Sequence, residues 1–481
     1  MSSAISDESI CQSKTNSEAG LSISQLSSRG QERVDRLGSF ASPKSNAILS
    51  EFKLFDAEKN PDGLINLGTA ENSLLSERLL KFIHENFQMS TNHLKYRPSL
   101  LHGYTLNSTQ VMPNILNKVL KPHAPIRSEH IVVGPGIGAI LSHLIWHLCE
   151  AGDGVVITAP FYSDYIRDII YPAQAAPIIV PTPVELDPLS LAVIPLLRQY
   201  IQDQLALSKV KIRVLMLCNP HNPLARAYPK ETIVEYSRIA EEFNLHLIVD
   251  EVFANEIFSS RYVLNPTPFT SILSFPSDSL PCNPSRIHVL WSPSKDLGAS
   301  GIKIGALISQ GAKNKPLVDT IRTSLNATPV SSASDVVFTS IMRDEEFWEA
   351  FGRENRKRLG EAFELVGGWC ESHGFGFEKA QAGPFVMIDF GLMIRGISLP
   401  TESSSTEDSD SSVSHTIQAK AKLAIAFQML ERGGIRLQSP QVYGLNPLDM
   451  RVRVVFTLPR EIMKIALRRI EKSFGLEKVE V

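Results

Sequence analysis

Residues 287–305 combine a run of apolar residues with a small, polar turn that contains a lysine. The apolar run at 287–291 is typical of a strand buried on both faces, as in a parallel sheet. The turn that follows reads Ser-Pro-Ser-Lys-Asp-Leu-Gly, with Lys295 in fourth place. A lysine at a strand end, beside hydroxyl groups, is suited to form a Schiff base with a carbonyl cofactor. A solvated surface turn is the alternative interpretation of this motif by itself.

Another apolar run, at residues 131–133, leads into the glycine-rich turn Gly-Pro-Gly-Ile-Gly and then into a helical pattern that starts at Ala139. Free backbone N–H groups and the helix dipole make such a turn an anion site, with Gly136 and Ile137 at its centre. The spacing differs from the G-x-G-x-x-G of a dinucleotide loop, and no acid follows at the expected distance. The turn therefore predicts an anion site, and a dinucleotide loop of incomplete pattern is the alternative.

Polar residues also follow two further runs of buried-strand type. Residues 213–218 are followed by Asn-Pro-His-Asn-Pro-Leu, which contains Asn222, and residues 245–250 end in the carboxylate of Asp250. Tyr162 follows a shorter apolar run at 155–158. In open α/β sheets, ligands bind beyond the carboxyl ends of the strands, so we expect these side chains to meet there. An ordinary loop or a core aromatic is the alternative at each position taken separately.

In chain order, these motifs resemble the signature of pyridoxal-phosphate (PLP) enzymes of the aminotransferase class I/II fold, also called fold type I. The closest likeness is to the 1-aminocyclopropane-1-carboxylate synthase-like branch, and it runs from about residue 60 to 475. The resemblance implies an α/β protein whose large domain has a mostly parallel seven-stranded sheet, with a smaller α+β domain beside it. It also implies a homodimer, because sites of this family lie at the subunit boundary.

The resemblance carries roles over to individual residues. Lys295 is expected to hold the cofactor covalently and to act as the catalytic base. The other expected cofactor contacts are Asp250, Asn222, Tyr162, Ser292, Lys303, Gly136, Ile137, Phe253 and His102. The substrate is expected to meet Arg453, which would bind its α-carboxylate as a two-pronged fork, and Glu71, in the segment Gly-Thr-Ala-Glu-Asn-Ser-Leu. An N-capped helix is the alternative reading of that segment.

This chain departs from the family pattern at four positions. His102 and Phe253 stand where tyrosine is usual, Ile137 replaces a hydroxyl residue, and Lys303 replaces arginine. Lys303 keeps a charge for the phosphate but lacks the planar fork of arginine, and Ile137 leaves only backbone donors. We therefore expect weaker retention of the cofactor, and either altered substrate chemistry or an enzyme that has lost activity.

The length of 481 residues exceeds what one hydrophobic core usually supports, so we expect more than one domain. Residues 1–45 are polar and are expected to form a disordered tail. The resemblance places residues 46–95 with the small domain, 96–325 in the large domain and 326–481 in the small domain. Residues 398–415, rich in Ser, Thr, Asp and Glu, predict an acidic surface insertion.

Composition excludes several other classes. A net charge of −3 gives no electrostatic reason to expect nucleic acid as a partner, and no apolar run is long enough to predict a membrane span. Five scattered cysteines fit free thiols in a reducing compartment, so we expect a cytoplasmic protein. His143 and His147 lie four apart on a helical pattern, but no third ligand accompanies them, so no metal is expected.

The sequence thus predicts a PLP-dependent transferase or lyase that acts on a small molecule, either an amino acid or an amino-acid-derived substrate. An aminotransferase, with a role in fungal secondary metabolism, is the leading hypothesis. A carbon–sulfur lyase and an elimination of the aminocyclopropane-carboxylate-synthase type are alternatives, because these residues do not separate transamination from elimination. A non-catalytic relative that keeps the fold is the alternative from another class.

Overall fold

The computed structural model describes residues 26–28, 30–31, 54–95, 107–171, 173–207, 210–399, 411–446 and 448–479. His102 and most of the predicted tail lie outside these residues. The chain divides after Leu64 into two units. In the first unit, Leu54 and Leu64 form a parallel bridge, and Asp56 and Asn60 form an antiparallel one.

The second unit, residues 65–481, contains eleven strands within its described part. They are β1 (Ile65–Asn66), β2 (Ile131–Gly134), β3 (Gly154–Thr158), β4 (Ala176–Val180), β5 (Ile212–Cys218), β6 (His246–Asp250), β7 (Ile287–Trp291), β8 (Gly305–Ile308), β9 (Phe385–Asp389), β10 (Ile435–Arg436) and β11 (Arg451–Val455). The apolar runs that were predicted as strands therefore form strands, with ends that differ by about one residue.

The same unit contains the α-helices of the described residues that have defined ends. They are α1 (Ser76–Asn86), α2 (Asn107–Leu120), α3 (Ile137–Leu148), α4 (Tyr165–Ile170), α5 (Val193–Leu207), α6 (Lys230–Glu242), α7 (Lys315–Leu325), α8 (Ser332–Arg343), α9 (Glu345–Ser372), α10 (Gly391–Arg395), α11 (Ser411–Arg432) and α12 (Arg460–Phe474). Strands and helices alternate from β2 to β6, as the α/β prediction requires.

The central sheet has seven strands in the order β2-β8-β7-β6-β5-β3-β4. β8 is antiparallel to both of its neighbours, β2 and β7, and the other neighbouring pairs are parallel. The predicted mostly parallel seven-stranded sheet is confirmed. Cys218 at the end of β5 pairs with Asp250 at the end of β6, which places the segments after these strands at one edge.

Helix α3 shows how the sheet is covered. Its buried side chains are Ile140, Leu141, Leu144, Ile145 and Leu148. They form one apolar face at helical spacing, and the helix packs on β2, β7 and β8. It starts at Ile137, two residues before the predicted start, because Gly136 turns the chain at a φ of 91°, which side chains other than glycine rarely allow.

Two small sheets form from segments outside the central sheet. β9 and β11 are antiparallel, with Arg453 opposite Met387, and β1 pairs in parallel with β10. The pairing of β1 with β10 joins residues 65–66 to the C-terminal part of the chain. The domain boundaries that were taken from the resemblance stay a prediction.

The predicted acidic insertion needs a correction at its C-terminal end. Helix α11 begins at Ser411, so residues 411–415 are helical rather than part of a loop. Ala419, Leu423, Ala426 and Leu430 are buried at spacings of three and four, which favours a helix that continues back into the polar segment. Residues 400–410 lie outside the described residues.

In the described part of the chain, no helix is both long and apolar enough to cross a membrane. Nor do three His, Cys, Asp or Glu side chains of that part form a group that could hold a metal ion. His147 Nδ1 instead donates to the carbonyl oxygen of His143 at 2.7 Å, one turn earlier on α3.

Candidate active site

Three neighbouring parallel strands end beside one another and deliver the predicted polar residues. Asn222 lies in the turn after β5, Asp250 is the last residue of β6, and Lys295 lies in the turn after β7. The N–H of Asn219 donates to the carbonyl oxygen of Asp250 at 2.9 Å, which ties the first two ends together. The sheet topology therefore brings together residues that are separated by up to about seventy positions in the sequence.

The Lys295 amine lies under the segment that follows β1. Its Nζ donates to the carbonyl oxygen of Ala70 at 2.6 Å and to Ser300 Oγ at 3.5 Å. Gly298, at a φ of 61°, allows this approach, because a Cβ there would lie 2.0 Å from the carbonyl oxygen of Asn72. Burial lowers the pKa of Lys295, which favours the neutral amine that a nucleophile or base requires.

Ser292 anchors the lysine turn to the start of β8. Its buried hydroxyl donates to the carbonyl oxygen of Ile304 at 2.7 Å and accepts from the N–H of Ser294 at 3.1 Å. The two hydroxyl oxygens, of Ser292 and Ser294, lie 2.7 Å apart. Because Ser292 donates its proton to Ile304, it accepts the proton of Ser294. Sequence reasoning did not single out Ser294.

The carboxylate of Asp250 is buried and held by two donors. Tyr165 donates through its hydroxyl to Oδ2 at 2.6 Å, and the N–H of Val252 donates to Oδ1 at 3.1 Å. Burial raises the pKa of Asp250 to about 6, and the bond from Tyr165 opposes that rise. Sequence reasoning missed Tyr165, although it lies only three residues after Tyr162, as the first residue of α4.

Arg453 is buried and reaches across to the end of β5. Its Nη1 donates to Asn222 Oδ1 at 2.9 Å, and its Nη2 donates to the carbonyl oxygen of Gly68 and to Gln438 Oε1, the latter at 3.2 Å. Its Nε is buried and donates to no acceptor among the described residues. A buried guanidinium with a free donor is suited to bind a carboxylate.

Phe253 supplies packing rather than a hydroxyl. Its ring meets Phe385 edge-on with 5.5 Å between the ring centres, and Phe385 in turn lies 4.9 Å from the guanidinium carbon of Arg453. A Cβ on Gly383 would lie 3.3 Å from the Phe253 ring. The ring is therefore enclosed by apolar neighbours next to the arginine.

The glycine turn and Lys303 form a positively polarised corner. Gly136 precedes α3, and the side chain of Lys303 passes 3.9 Å from where a Cβ on Gly136 would lie. A Cβ on Gly305 would lie 3.3 Å from the backbone of Gly136 and from the nitrogen of Ile137, so glycine permits this close packing. The helix start and the lysine together suit a phosphate group.

Tyr162 and Glu71 lie at the margin of this group of residues. The Tyr162 hydroxyl donates to Asp164 Oδ2 at 2.8 Å, and its ring meets the Tyr165 ring edge-on. Glu71 is exposed, but its charge reaches Lys295 and raises the pKa of the amine. The alternative interpretation of residues 68–74 as an N-capped helix start is wrong, because α1 begins only at Ser76 and its N-cap, Leu75, has no capping side chain.

The residues present fit a PLP cofactor on their own chemistry. A partly buried amine, a buried strand-end carboxylate and a helix start beside a cation provide a partner for the carbonyl, the ring nitrogen and the phosphate of that molecule. The fit rests on Lys295, Asp250 and Lys303, and the Nε of Arg453 stays available to a substrate carboxylate.

The class of protein follows from a comparison with known proteins. The model of the family "Aminotransferase class I and II" matches residues 62–470. The chain therefore belongs to the class I and II aminotransferase family, a family of PLP enzymes, which confirms the family, fold and cofactor that the sequence predicted.

Individual proteins show the same likeness. A probable aminotransferase of Aspergillus oryzae (aclI) is 27% identical over 415 residues, 85% of this chain and 91% of the relative. The 1-aminocyclopropane-1-carboxylate synthase-like protein 1 of Bos taurus is 28% identical over 344 residues, 70% of this chain and 65% of that protein. A mutant aspartate aminotransferase of Thermus thermophilus has a TM-score of 0.66 at 14% identity, over 93% of this chain and 99% of that one, a likeness of fold.

Proposed function

We propose that the chain is a PLP-dependent aminotransferase that acts on an amino acid or an amino-acid-derived substrate. The observation that carries this proposal is the Nε of Arg453, a buried donor without an acceptor in the described part of the chain. Arg453 is bonded to Asn222 and acts electrostatically on Lys295. A substrate carboxylate held there would have its amino group directed towards the lysine side of the site.

The roles of the chain's own groups follow from their positions. When bound, PLP supplies a carbonyl that joins covalently to an amine and a conjugated ring that accepts electron density from the substrate Cα. The Lys295 amine would take up the proton from that Cα and return it later. Asp250 would place its negative charge opposite a ring nitrogen, and Asn222, whose oxygen accepts from Arg453, keeps its NH₂ group as a donor.

Retention of the cofactor depends on the phosphate corner. The side chain at position 137 is isoleucine, which donates nothing, and Lys303 offers a point charge where a guanidinium would offer a fork. The loss of one hydrogen bond to a charged group costs about 1.5–3 kcal/mol. We therefore propose that the purified protein loses its cofactor readily.

Transfer is favoured over elimination by the relatives, since the name of the Aspergillus oryzae protein describes an aminotransferase. Carbon–sulfur lyase activity is the outcome to test against it. We also propose a homodimer, on the family resemblance, and a cytoplasmic location, on the scattered cysteines. Light scattering of the purified protein measures the assembly state. A role in fungal secondary metabolism stays a prediction.

The test of this function is the visible absorption of the protein with added PLP, beside Lys295→Ala. The proposal expects a cofactor band in the wild type that shifts with particular amino acids, and no lysine-linked band in the variant. With a keto acid present, mass spectrometry should then show a new amino acid. No band in either protein would favour the non-catalytic alternative.

The same incubation separates transfer from elimination. Transfer of an amino group leaves a keto acid with the carbon skeleton of the donor and releases no ammonia. β-Elimination releases ammonia, and from a sulfur-containing amino acid it also releases a thiol. Ring closure of the aminocyclopropane type releases the γ-substituent instead and keeps the amino group in a cyclic amino acid. Ammonia in proportion to the amino acid consumed would replace the aminotransferase proposal with that of a lyase.

A further inference from the structure

Two buried carboxyl groups lie beside the lysine turn, and the roles proposed above use neither of them. Glu256 follows β6 and is 0% exposed, and Asp296 follows Lys295 directly and is 1% exposed. Within the described residues, the carboxylate oxygens of both side chains lack a hydrogen bond of standard geometry. Buried carboxyl groups without partners are costly, so their retention beside a reactive amine points to a role.

Helix α9 contacts the segments that carry the two acids. Asn355, on α9, donates to the backbone oxygen of Asp296 at 3.4 Å, and Asn72 donates to Asn355 Oδ1 at 2.8 Å. The Asn355 side chain also lies close enough to Glu256 to lower the pKa of that carboxyl. Arg356, the next residue of α9, donates to the side-chain oxygen of the residue before Glu256 at 3.0 Å, so α9 contacts the chain at both acids.

Four charged side chains act on the Lys295 amine. Glu256 and Glu71 raise the pKa of the amine, and Arg453 and Lys303 lower it. Glu256 acts more strongly than Glu71, because it is buried whereas Glu71 is exposed to water. Glu256 is therefore the main counter-charge of the amine.

Asp296 differs from Glu256 in what it faces. Its charged neighbours are Glu256, which raises its pKa, and Arg356 on α9, which lowers it, and burial holds the pKa well above the usual range. Burial also raises the pKa of Glu256 to about 7, while Lys295 opposes that rise. One proton is therefore held on Asp296 while Glu256 ionises, since two adjacent buried carboxyl groups do not ionise together.

We propose that Glu256 is a positioning residue: a buried counter-charge that keeps the Lys295 amine able to take up a proton, with Asp296 as its neutral partner. The inference rests on the proposed function, in which Lys295 accepts and returns the Cα proton. Burial and the two cations favour a permanently neutral amine, which could accept a proton only at a high energetic cost. The Glu256 charge restores the balance that a group needs to act first as base and then as acid.

The test measures the titration of Lys295 in the full chain after its cofactor has been removed. The amine is labelled with acetic anhydride over a range of pH, and mass spectrometry quantifies the peptide that contains Lys295. Wild type is compared with Glu256→Gln and with Asp296→Asn, a matched loss of a buried carboxyl group. The Glu256→Gln change should lower the apparent pKa of Lys295 by about one unit. At a pH below the apparent pKa of Lys295 in both proteins, Lys295 should then be labelled about tenfold faster in Glu256→Gln than in wild type.

The Asp296→Asn change should leave the apparent pKa of Lys295 within about 0.3 units of wild type, because Asp296 is already neutral. Added salt distinguishes the effect of the buried Glu256 charge from that of the exposed Glu71 charge, because salt screens exposed charges more strongly. The effect of Glu71→Gln should fade at about 0.5 M salt, and that of Glu256→Gln should persist. If Glu256→Gln does not yield folded protein by circular dichroism, Glu256→Ala gives the same comparison.

An unchanged Lys295 titration in the Glu256 variant would overturn the inference. An equal shift in the Asp296 variant would do the same, because it would indicate a general disturbance of the turn. The labelling needs no bound cofactor, so it remains readable even if the protein fails to bind PLP. Where PLP binds, the pH at which its absorption changes should move in the same direction in Glu256→Gln and stay in place in Asp296→Asn.

Discussion

Removal of the Tyr165 hydroxyl should make the stability of this protein more dependent on pH. Tyr165 donates to Asp250 Oδ2 at 2.6 Å inside the site, and Asp250 is 4% exposed. The Tyr165→Phe change keeps the ring and removes only the donor. Tyr162→Phe is a matched control, because that hydroxyl donates to Asp164 and not to Asp250.

The sign follows from the pKa of Asp250. Burial raises it from 3.8 to about 6, so the folded protein binds this proton more tightly than the unfolded chain. The resulting stability is fully present below about pH 3.8 and is lost as the pH rises through 6. The difference of about two units corresponds to roughly 3 kcal/mol.

The Tyr165 hydroxyl limits that loss, because it stabilises the ionised form of Asp250. A hydrogen bond to a charged group is worth about 1.5–3 kcal/mol, and one between neutral groups about 0.5–1.5 kcal/mol. Tyr165→Phe should therefore raise the pKa of Asp250 by about one unit. It should destabilise the protein by about 1 kcal/mol more at pH 8 than at pH 5.

The assay is urea-induced unfolding of the cofactor-free protein at pH 5 and pH 8, at one protein concentration. Wild type, Tyr165→Phe and Tyr162→Phe are compared by the free energy of unfolding. A loss in Tyr165→Phe of equal size at both pH values would refute the reasoning, since the hydroxyl would not be acting on the ionised carboxylate. A similar pH-dependent loss in Tyr162→Phe would refute it too.

Three further changes test other parts of the structure. Gly298→Ala should destabilise the protein by about 1–2 kcal/mol or more in thermal unfolding, because residue 298 has a φ of 61° and its new Cβ would lie 2.0 Å from a backbone carbonyl oxygen. Gly301→Ala is the control and should have no effect, because nothing lies within 4 Å of a Cβ there. Arg453→Lys should raise, by about tenfold or more, the amino-acid concentration that half-saturates the absorption shift of the cofactor, and an unchanged value would remove Arg453 from the substrate site. Burial lowers the pKa of His288 to about 3, below the 6.5 of the unfolded chain. The free energy of unfolding should therefore fall by about 2 kcal/mol between pH 6.5 and pH 5, because only the unfolded chain takes up this proton. His288→Gln should make the free energy of unfolding, measured with urea, less dependent on pH in this range.

The positions of Lys295, Asp250 and Asn222 could be predicted because each lies at or just after the end of a strand. Apolar runs identify buried strands, and parallel strands that are neighbours deliver their carboxyl ends to one edge. The pattern is local, so it can be read from a few residues around each motif. The order of the motifs along the chain then indicates the family, which the match over residues 62–470 confirms.

Contacts between distant segments were not predictable in this way. Lys295 bonds to Ala70, 225 positions away, and Arg453 bonds to Asn222, 231 positions away. These contacts depend on how the segment after β1 and the strand β11 dock beside the central sheet. No local periodicity specifies that docking, because it results from the packing of side chains across the whole core.

The order of motifs, the alternation of strands and helices, and the presence of a lysine, a carboxylate and an arginine were therefore properties of the sequence alone. The tertiary structure decided which of these groups are buried and which groups face them. Tyr165 against Asp250, and Glu256 and Asp296 beside Lys295, became visible only there. The reason is physical: a pKa depends on burial and on neighbouring charges, and both are set by residues that the chain brings together only when it folds.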